Sequence, residues 1–174
     1  MVKLDIGCGP RPKDGFLGVD VRSYGRSDIV VADLRFEGSW AKWEDDSVDE
    51  AFSSHFVEHL TAPHRILFAN ELYRILKPGG FAEIITPHWA SARAYGDLTH
   101  QWPPVSPFWF NYLRRSWREA NAPHACDDYT CDFTVDWGTS LHPQVGLRNQ
   151  EFQQFATTFY IEANQDMHST WRKA

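Results

Sequence analysis

Two short segments near the start of the chain constrain its fold more than any other feature. Leu4-Asp5-Ile6 runs directly into Gly7-Cys8-Gly9, and Gly18-Val19-Asp20 follows soon afterwards. An apolar strand that ends in glycines, followed by a strand that ends in a carboxylate, is typical of open parallel α/β sheets that bind a nucleoside. We therefore expect bare backbone to approach the ligand and the acid to accept hydrogen bonds from its ribose.

Two prolines in the same loop argue against a dinucleotide ligand. The third glycine of a dinucleotide fingerprint would fall at position 12, where the chain has Pro12. Pro10 and Pro12 disfavour helical backbone in the residues before them and remove two amide donors. A helix N-terminus directed at a pyrophosphate is therefore poorly supported, and a nicotinamide oxidoreductase is the weaker alternative.

Length and charge narrow the functional class. A chain of 174 residues fits one domain, and its formal net charge of −6 disfavours a broad phosphate-binding face and therefore a nucleic-acid partner. It has no apolar run of about 18 residues, so no membrane span is expected. Because a strand begins at once, we expect no signal peptide and a cytoplasmic location, in the cell or in an infected host.

The cysteines predict free thiols and no bound metal. Cys8, Cys126 and Cys131 are an odd number for a disulfide framework, which favours a reducing compartment. His124 and His142 lie near the second and third cysteines, but the loose spacing and the single cysteine pair disfavour a zinc site.

Strand and helix periods alternate over the first half of the chain. The sequence predicts strands at residues 2–6, 16–21, 29–32, 48–53 and 81–86. One helical turn is expected within 38–46, and the clearest helix is expected over 63–76. The connection between the first two strands is so short that its helix must be shortened or absent. Near-continuous apolar strands with helices between them imply a parallel sheet covered on both faces.

The second half of the chain is less regular. Residues 88–107 have little period and several prolines, so they predict a long loop of the kind that forms lids or binding segments. A helix over 107–120, a strand over 130–137, an amphipathic helix over 149–164 and a final edge strand over 167–171 follow. We expect one domain over 1–174, with 87–122 as a lid on the substrate side.

Three motifs together resemble the class I S-adenosylmethionine-dependent methyltransferases of the type-11 methyltransferase-domain family. They are Asp5-Ile6-Gly7-Cys8-Gly9, then Asp45 to Asp49 running into Ser53-Ser54-His55, then Glu71 to Gly80. They occur in the family's order across residues 2–88. The resemblance implies a Rossmann-like, doubly wound, mostly parallel seven-stranded sheet with an antiparallel last strand.

The resemblance also assigns roles to residues for binding S-adenosylmethionine, with S-adenosylhomocysteine as product. Gly7, Cys8 and Gly9 would contact the adenosine and methionine parts through backbone, and Asp5 would lie near the methionine ammonium. Asp20 would accept from both ribose hydroxyls, as a carboxylate can. The remaining assignments are Asp33 at the adenine amino group with Leu34 beside the ring, and Ser54 and His55 at the methionine end.

The chain departs from the family pattern in two ways. The first helix is shortened or absent, as in a subgroup with a Gly-x-Gly-Pro-Arg-Pro start, and no helices precede the first strand. Either the lid after the fifth strand or a partner subunit in a homodimer would then close the pocket.

Several histidines are candidates for the acceptor side. His88 and His100 fall in the predicted lid, where an imidazole could remove a proton from an attacking hydroxyl or amine, although both could simply hold the loop by hydrogen bonds. His55, Glu58 and His59 resemble a family run at a helix start, and their spacing is not the His-Glu-x-x-His pattern of a metal site. The lid tryptophans predict a hydrophobic cap, or stacking on a planar or sugar substrate.

The sequence thus predicts methyl transfer to an oxygen or nitrogen nucleophile of a small molecule or glycan. The alternative is a non-catalytic module that keeps the fold, and even the cofactor, but uses its acidic and aromatic surface to bind a partner.

Overall fold

The computed structural model describes residues 1–174, and seven strands form a single sheet. The strands are β1 (Lys3–Ile6), β2 (Leu17–Asp20), β3 (Ile29–Val31), β4 (Val48–Ser54), β5 (Leu76–Pro87), β6 (Phe133–Leu141) and β7 (Asn164–Lys173). Their order across the sheet is β3-β2-β1-β4-β5-β7-β6. Strands β1 to β5 pair in parallel, and β7 pairs antiparallel with both β5 and β6.

Six α-helices connect the strands or lie after them. They are α1 (Glu37–Trp40), α2 (Ala62–Ile75), α3 (Pro107–Tyr112), α4 (Arg115–Asn121), α5 (Pro143–Gly146) and α6 (Gln150–Phe159). Turns without a helix link β1 to β2 and β2 to β3, so the predicted loss of the first helix is confirmed and extends to the second crossover. No helix has both the length and the apolar character to cross a membrane.

The predicted fold class is confirmed, with one error in strand position. Strand β7 was expected at the edge of the sheet, but it lies between β5 and β6, and β6 forms the edge. The strand order reverses between β1 and β4, and in open α/β sheets a ligand crevice forms at the carboxyl ends of such a pair. The topology therefore places a crevice where β1 ends at Ile6 and β4 ends at Ser54.

The core lies on one face of the sheet and is built around aromatic side chains. Trp171 of β7 is fully buried and stacks edge-on or tilted against Phe68 of α2, Trp109 and Phe110 of α3, and Phe133 of β6. Helices α2 and α3 therefore pack on the same face, which accounts for the alternation of buried residues over 80–86 in β5 and over 167–171 in β7.

The opposite face of the central strands carries charged and aromatic side chains. Lys3 pairs with Glu50, and the Lys13 ammonium lies 3.1 Å from Glu83 and 4.0 Å from the centre of the Phe52 ring. The helices that would cover this face in a doubly wound sheet follow β1 and β2, and both are missing here. The expectation that helices cover both faces is therefore wrong in this region, where alkyl stems and ion pairs shield the strands instead.

The helix predicted over 107–120 is broken into α3 and α4. The carbonyl of Leu113 accepts from the amide of Phe133 in β6 at 2.8 Å instead of continuing the helix. Arg114 has extended backbone and donates to the carbonyl of Val135. Tertiary hydrogen bonds to β6 thus interrupt a segment whose local pattern favours one continuous helix.

Candidate functional site

A cavity of about 260 Å³ lies at the carboxyl ends of β1, β2 and β3. Four of the predicted cofactor residues line it: Gly7, Asp20, Asp33 and Leu34. The rest of its wall is mostly apolar and includes Phe56, Leu60 and Val19. The cavity therefore combines two carboxylates with an apolar interior beside a glycine bend.

The glycine loop is shaped by positive backbone torsions. Gly7 and Gly9 have φ values of +71° and +58°, which side-chain-bearing residues rarely adopt. The amide of Gly7 donates to the carbonyl of Val19 at 2.8 Å, which folds the loop back over β2. A Cβ atom at Gly7 would overlap the ring of Phe56, so only glycine fits between that ring and the cavity.

Asp20 ends β2 and organises the loop around it. Its Oδ2 accepts from the Gly9 amide at 2.9 Å, and its Oδ1 accepts from the Arg22 amide at 3.1 Å. Each carboxylate oxygen has two acceptor sites, so one site on each oxygen remains for a ligand in the cavity. Asp20 thus acts as a turn cap and can still accept from a diol.

Asp33 follows β3 and is held in a two-pronged pair with Arg35. The Arg35 guanidinium donates to Oδ1 at 2.8 Å through Nε and to Oδ2 at 2.6 Å. These hydrogen bonds lower the pKa of the Asp33 carboxyl and keep it an acceptor. Leu34 beside it is buried, and its carbonyl accepts from the indole of Trp40, which fixes the apolar floor.

Asp5 and Cys8 do not line the cavity. Asp5 is 4% exposed, and its Oδ2 accepts from the Lys13 amide at 2.7 Å. Burial raises the pKa of the Asp5 carboxyl and outweighs that hydrogen bond. Burial, with the neighbouring charges of Asp5 and Asp20, raises the pKa of the Cys8 thiol to about 11. Gly9, the third member of the loop, contributes its amide to Asp20 rather than a surface to the cavity.

Ser54 and His55 mark the end of β4. His55 has a φ of +55°, and its amide donates to the carbonyl of Ile85 in β5. Its Nδ1 lies 3.2 Å from Glu58 Oε1, and that hydrogen bond raises the pKa of the imidazole. Neither residue lines the cavity beside Gly7, although both lie at the same edge of the sheet.

The two lid histidines differ in what their rings can do. Nδ1 of His88 accepts from the Ala90 amide at 3.1 Å, so neutral His88 carries its proton on Nε2 and has no free lone pair. Nδ1 of His100 faces the carbonyl of Ala94 at 3.2 Å and must donate to it, which leaves the Nε2 lone pair free. Of the two, only neutral His100 presents a free acceptor for a proton.

The comparisons with known proteins support this fold. Residues 13–84 match the methyltransferase-domain family of type 11. Over 98% of the chain, the structure aligns with 85% of a SAM-dependent methyltransferase from Archaeoglobus fulgidus, with a TM-score of 0.68 and 19% identity. The fold is that of a class I methyltransferase. The resemblance predicted from the sequence is thereby confirmed.

Two further proteins are similar to this chain, one in sequence and one in structure. An uncharacterized methyltransferase of Mycobacterium sp. (strain JLS) is 31% identical over 84 residues, which are 48% of this chain and 30% of that protein. The chain thus matches less than a third of that relative's length. The 4+2 cyclase SpnF aligns with 98% of this chain and 73% of its own, with a TM-score of 0.55 and 17% identity.

Seven further residues line the cavity that sequence reasoning did not assign to the cofactor. Four are aliphatic, and the other three are Arg35, Phe56 and His59. Arg35 lies two residues after Asp33, and from this spacing its pairing with the Asp33 carboxylate could have been predicted. The role of Phe56 depends on its contact with Gly7, which no local sequence signal shows. His59 lies in the run that resembles the family, but the run was interpreted mainly as the start of a helix.

Proposed function

We propose that this chain binds S-adenosylmethionine in the cavity beside Gly7 and transfers its methyl group to an oxygen or nitrogen nucleophile of a small molecule or glycan. The observation that carries the proposal is the convergence of Gly7, Asp20, Asp33 and Leu34 on one cavity at the point where the strand order reverses. Nucleosides bind at this position in open α/β sheets.

The lining residues fit an adenosyl group. Asp20 keeps one acceptor site on each carboxylate oxygen for the two ribose hydroxyls. Asp33, held ionised by Arg35, can accept from an exocyclic amine, and Leu34 offers an apolar surface to the flat ring. The space that a Cβ at Gly7 would need is filled by Phe56, so the loop presents bare backbone to the ligand.

Asp5 and the end of β4 extend the site toward the methionine part. Asp5 is buried with a raised pKa, so a cationic partner would stabilise its charged form. We assign it to the methionine ammonium, with Cys8 and Gly9 in the loop above it and Ser54 and His55 flanking the same end. These assignments rest on position at the sheet edge and on the charge of Asp5.

In methyl transfer, the main task of the protein is to align the acceptor atom with the methyl group. When bound, S-adenosylmethionine supplies an activated methyl group on a positively charged sulfur, and a neutral thioether leaves. The chain's residues then need to hold the acceptor in line and exclude water, which can account for much of the rate. His100 has a free Nε2 to take a proton from the acceptor, whereas His88 has none when neutral.

Isothermal titration calorimetry with S-adenosylhomocysteine, S-adenosylmethionine and NADH tests the cofactor assignment. We expect saturable binding of the first two and none of NADH. Absence of both heat and thermal protection with the two adenosyl compounds would overturn the proposal. Transfer of a labelled methyl group across a panel of hydroxylated and amine acceptors then tests the reaction.

A second candidate function is a cofactor-binding module without methyl transfer. The similarity to a 4+2 cyclase shows that this fold also occurs in a protein whose name describes a different reaction. Tight binding of S-adenosylmethionine with no label transfer to any acceptor in the panel would favour this candidate over the first.

A further inference from the structure

Three side chains with metal-ligating atoms converge beside the cofactor cavity. One ligand atom each from Glu58, His59 and His100 lies within 4.8 Å of the other two. Glu58 and His59 belong to the turn after β4, and His100 belongs to the segment after β5. His59 also lines the cavity, so the cluster and the proposed cofactor site share a wall.

One oxygen of the buried Glu58 carboxylate has no hydrogen-bond partner. The residue is 4% exposed, and its Oε1 lies 3.2 Å from His55 Nδ1. Its Oε2 is buried and has no hydrogen-bond partner in the protein. A buried carboxylate oxygen without a partner is strongly unfavourable, so this atom points to a ligand that the protein chain does not supply.

Both imidazoles in the cluster are oriented with Nε2 free. The Thr99 hydroxyl donates its only proton to Asp97 at 2.7 Å, so it can only accept from His59 Nδ1, 2.9 Å away. His100 Nδ1 donates to the Ala94 carbonyl. Each ring therefore carries its proton on Nδ1, and an Nδ1–H donated to a carbonyl or to a carboxylate-linked group is the usual support of a metal-binding histidine.

A buried arginine holds the two halves of the cluster together. Arg65 is 5% exposed, and its guanidinium donates to carbonyls on both sides. The acceptors are Val57 at 3.2 Å, Glu58 at 3.4 Å, Gln101 at 3.1 Å and Pro103 at 2.5 Å. The Gln101 amide also donates to the Glu58 carbonyl at 2.8 Å. The lid segment is thus fixed against the turn after β4, which positions His100 before any ligand binds.

We propose that Glu58, His59 and His100 bind a divalent transition-metal cation beside the cofactor cavity. Two imidazoles and one carboxylate favour zinc, manganese, iron, cobalt or nickel over magnesium and calcium, which prefer all-oxygen sites. The sequence predicted no metal, because the spacing of His55, Glu58 and His59 is not the His-Glu-x-x-His pattern. The third ligand reaches the site only through the fold.

The binding of the cation is independent of the proposed function, but its role in the reaction rests on that function. Three protein ligands leave coordination positions open, and His59 places them next to the cavity. An acceptor hydroxyl bound there would release its proton to water more easily because the metal would lower its pKa, and its oxygen would then take the methyl group as the neutral thioether leaves. In that arrangement His100 is a ligand and not the base. The predicted acceptor class becomes a hydroxylated compound that can bind a metal through oxygen.

Metal binding can be tested by a measurement that does not depend on methyl transfer. The protein is dialysed against a chelator and titrated with Zn²⁺ by calorimetry and with Co²⁺ by visible absorption, which reports ligand geometry. We expect one equivalent to bind. Glu58→Gln and His100→Asn should each weaken Zn²⁺ binding at least about tenfold, while Thr99→Val should weaken it less, as a positioning residue.

Exposed residues of the same types provide the controls. His124→Asn and Glu119→Gln should leave Zn²⁺ binding unchanged, since both side chains are exposed and distant in sequence from the cluster. Circular dichroism confirms that each variant is folded. Equal Zn²⁺ affinity in wild type, Glu58→Gln and His100→Asn overturns the proposal, and so does an equal loss in His124→Asn.

The outcome is separable from that of the cofactor proposal. S-adenosylhomocysteine binding that persists while Zn²⁺ and Co²⁺ fail to bind removes the metal and leaves the cofactor site. Site-specific Co²⁺ binding without S-adenosylhomocysteine binding supports the metal site and removes the methyltransferase function.

Discussion

The amide of Gly9 donates to Oδ2 of Asp20 at 2.9 Å, so the glycine loop after β1 and the acid at the end of β2 hold each other in place. Two signals that lie apart in the sequence are therefore one structural unit. Asp20 also accepts from the Arg22 amide, which closes the turn after β2. A change at Asp20 consequently affects the shape of the loop as well as any bound ribose.

Asp20→Asn should separate the two roles of this carboxylate. Asn keeps one acceptor oxygen, so we expect a loss of unfolding free energy of about 1 kcal/mol. The second ribose hydroxyl loses its acceptor and the charge is gone, so S-adenosylhomocysteine affinity should fall about tenfold or more, equivalent to about 1.4 kcal/mol. Calorimetry measures the affinity, and exposed Asp14→Asn is the control. Unchanged affinity in Asp20→Asn would contradict the ribose assignment.

Gly7→Ala should destabilise the protein more than Gly15→Ala. Both glycines have positive φ, +71° and +81°, and an alanine in that region costs about 1–2 kcal/mol. A Cβ at Gly15 meets no atom within 4 Å, whereas one at Gly7 overlaps the Phe56 ring. Urea denaturation should therefore show the larger loss at Gly7.

The clash at Gly7 can be tested by a double substitution. Phe56→Ala makes room for the new methyl group. The loss of unfolding free energy that Phe56→Ala causes should therefore be smaller in Gly7→Ala protein than in wild type. Additive effects of the two substitutions would show that the ring does not limit the space at Gly7.

The sequence predicted the part of the fold that local patterns encode. Apolar runs located the five parallel strands, and the short interval between the first two of them indicated the missing first helix. The family resemblance assigned Asp20 and Asp33, at the ends of β2 and β3, to the cofactor, and both line the cavity.

What the sequence did not predict depends on contacts between distant segments. The break between α3 and α4 follows from the hydrogen bond of Leu113 with Phe133, which no local pattern shows. The internal position of β7 depends on pairing with two strands at once. The meeting of His100 with Glu58 requires the four carbonyls around Arg65, contributed by two loops.

Arg65→Lys should loosen the lid. An ammonium has three donors and a single centre, so it cannot reach all four carbonyls that the guanidinium serves. The Val57 and Glu58 carbonyls keep backbone partners in the Leu60 and Gln101 amides, so the loss falls on the Gln101 and Pro103 carbonyls. Each buried carbonyl left without a partner costs about 1–3 kcal/mol, so we expect a loss of about 1–3 kcal/mol of unfolding free energy. Trypsin should also cleave faster after Arg93 in the lid.

Exposed Arg115→Lys is the matched control, because it makes the same chemical change on the surface. Equal stability and equal cleavage rates in the two variants would show that Arg65 does not anchor the lid.

Cys8 and Cys131 should react slowly with iodoacetamide in the native protein. Burial raises the pKa of their thiols to about 11 and about 12, so at pH 8 only about 0.1% and 0.01% are thiolate, the reactive form. Labelling followed by mass spectrometry should show Cys126 modified first. The rate at Cys8 should rise about tenfold per pH unit from pH 8 to 10 in Cys126→Ser protein. A rate independent of pH would contradict the raised pKa.

Asp5→Asn should stabilise the protein without ligand and weaken cofactor binding. Burial raises the pKa of Asp5 in the folded state, so the folded protein favours the protonated form. Below the unfolded pKa both states are protonated and the group has no effect; as pH rises through the folded pKa, stability is lost. Asn keeps the acceptor for the Lys13 amide and removes this loss, so the gain in melting temperature should be present at pH 7 and absent near pH 3.

If Asp5 binds the methionine ammonium, the same substitution lowers S-adenosylmethionine affinity while leaving adenosine affinity unchanged. An equal loss for both ligands would place Asp5 in loop structure alone.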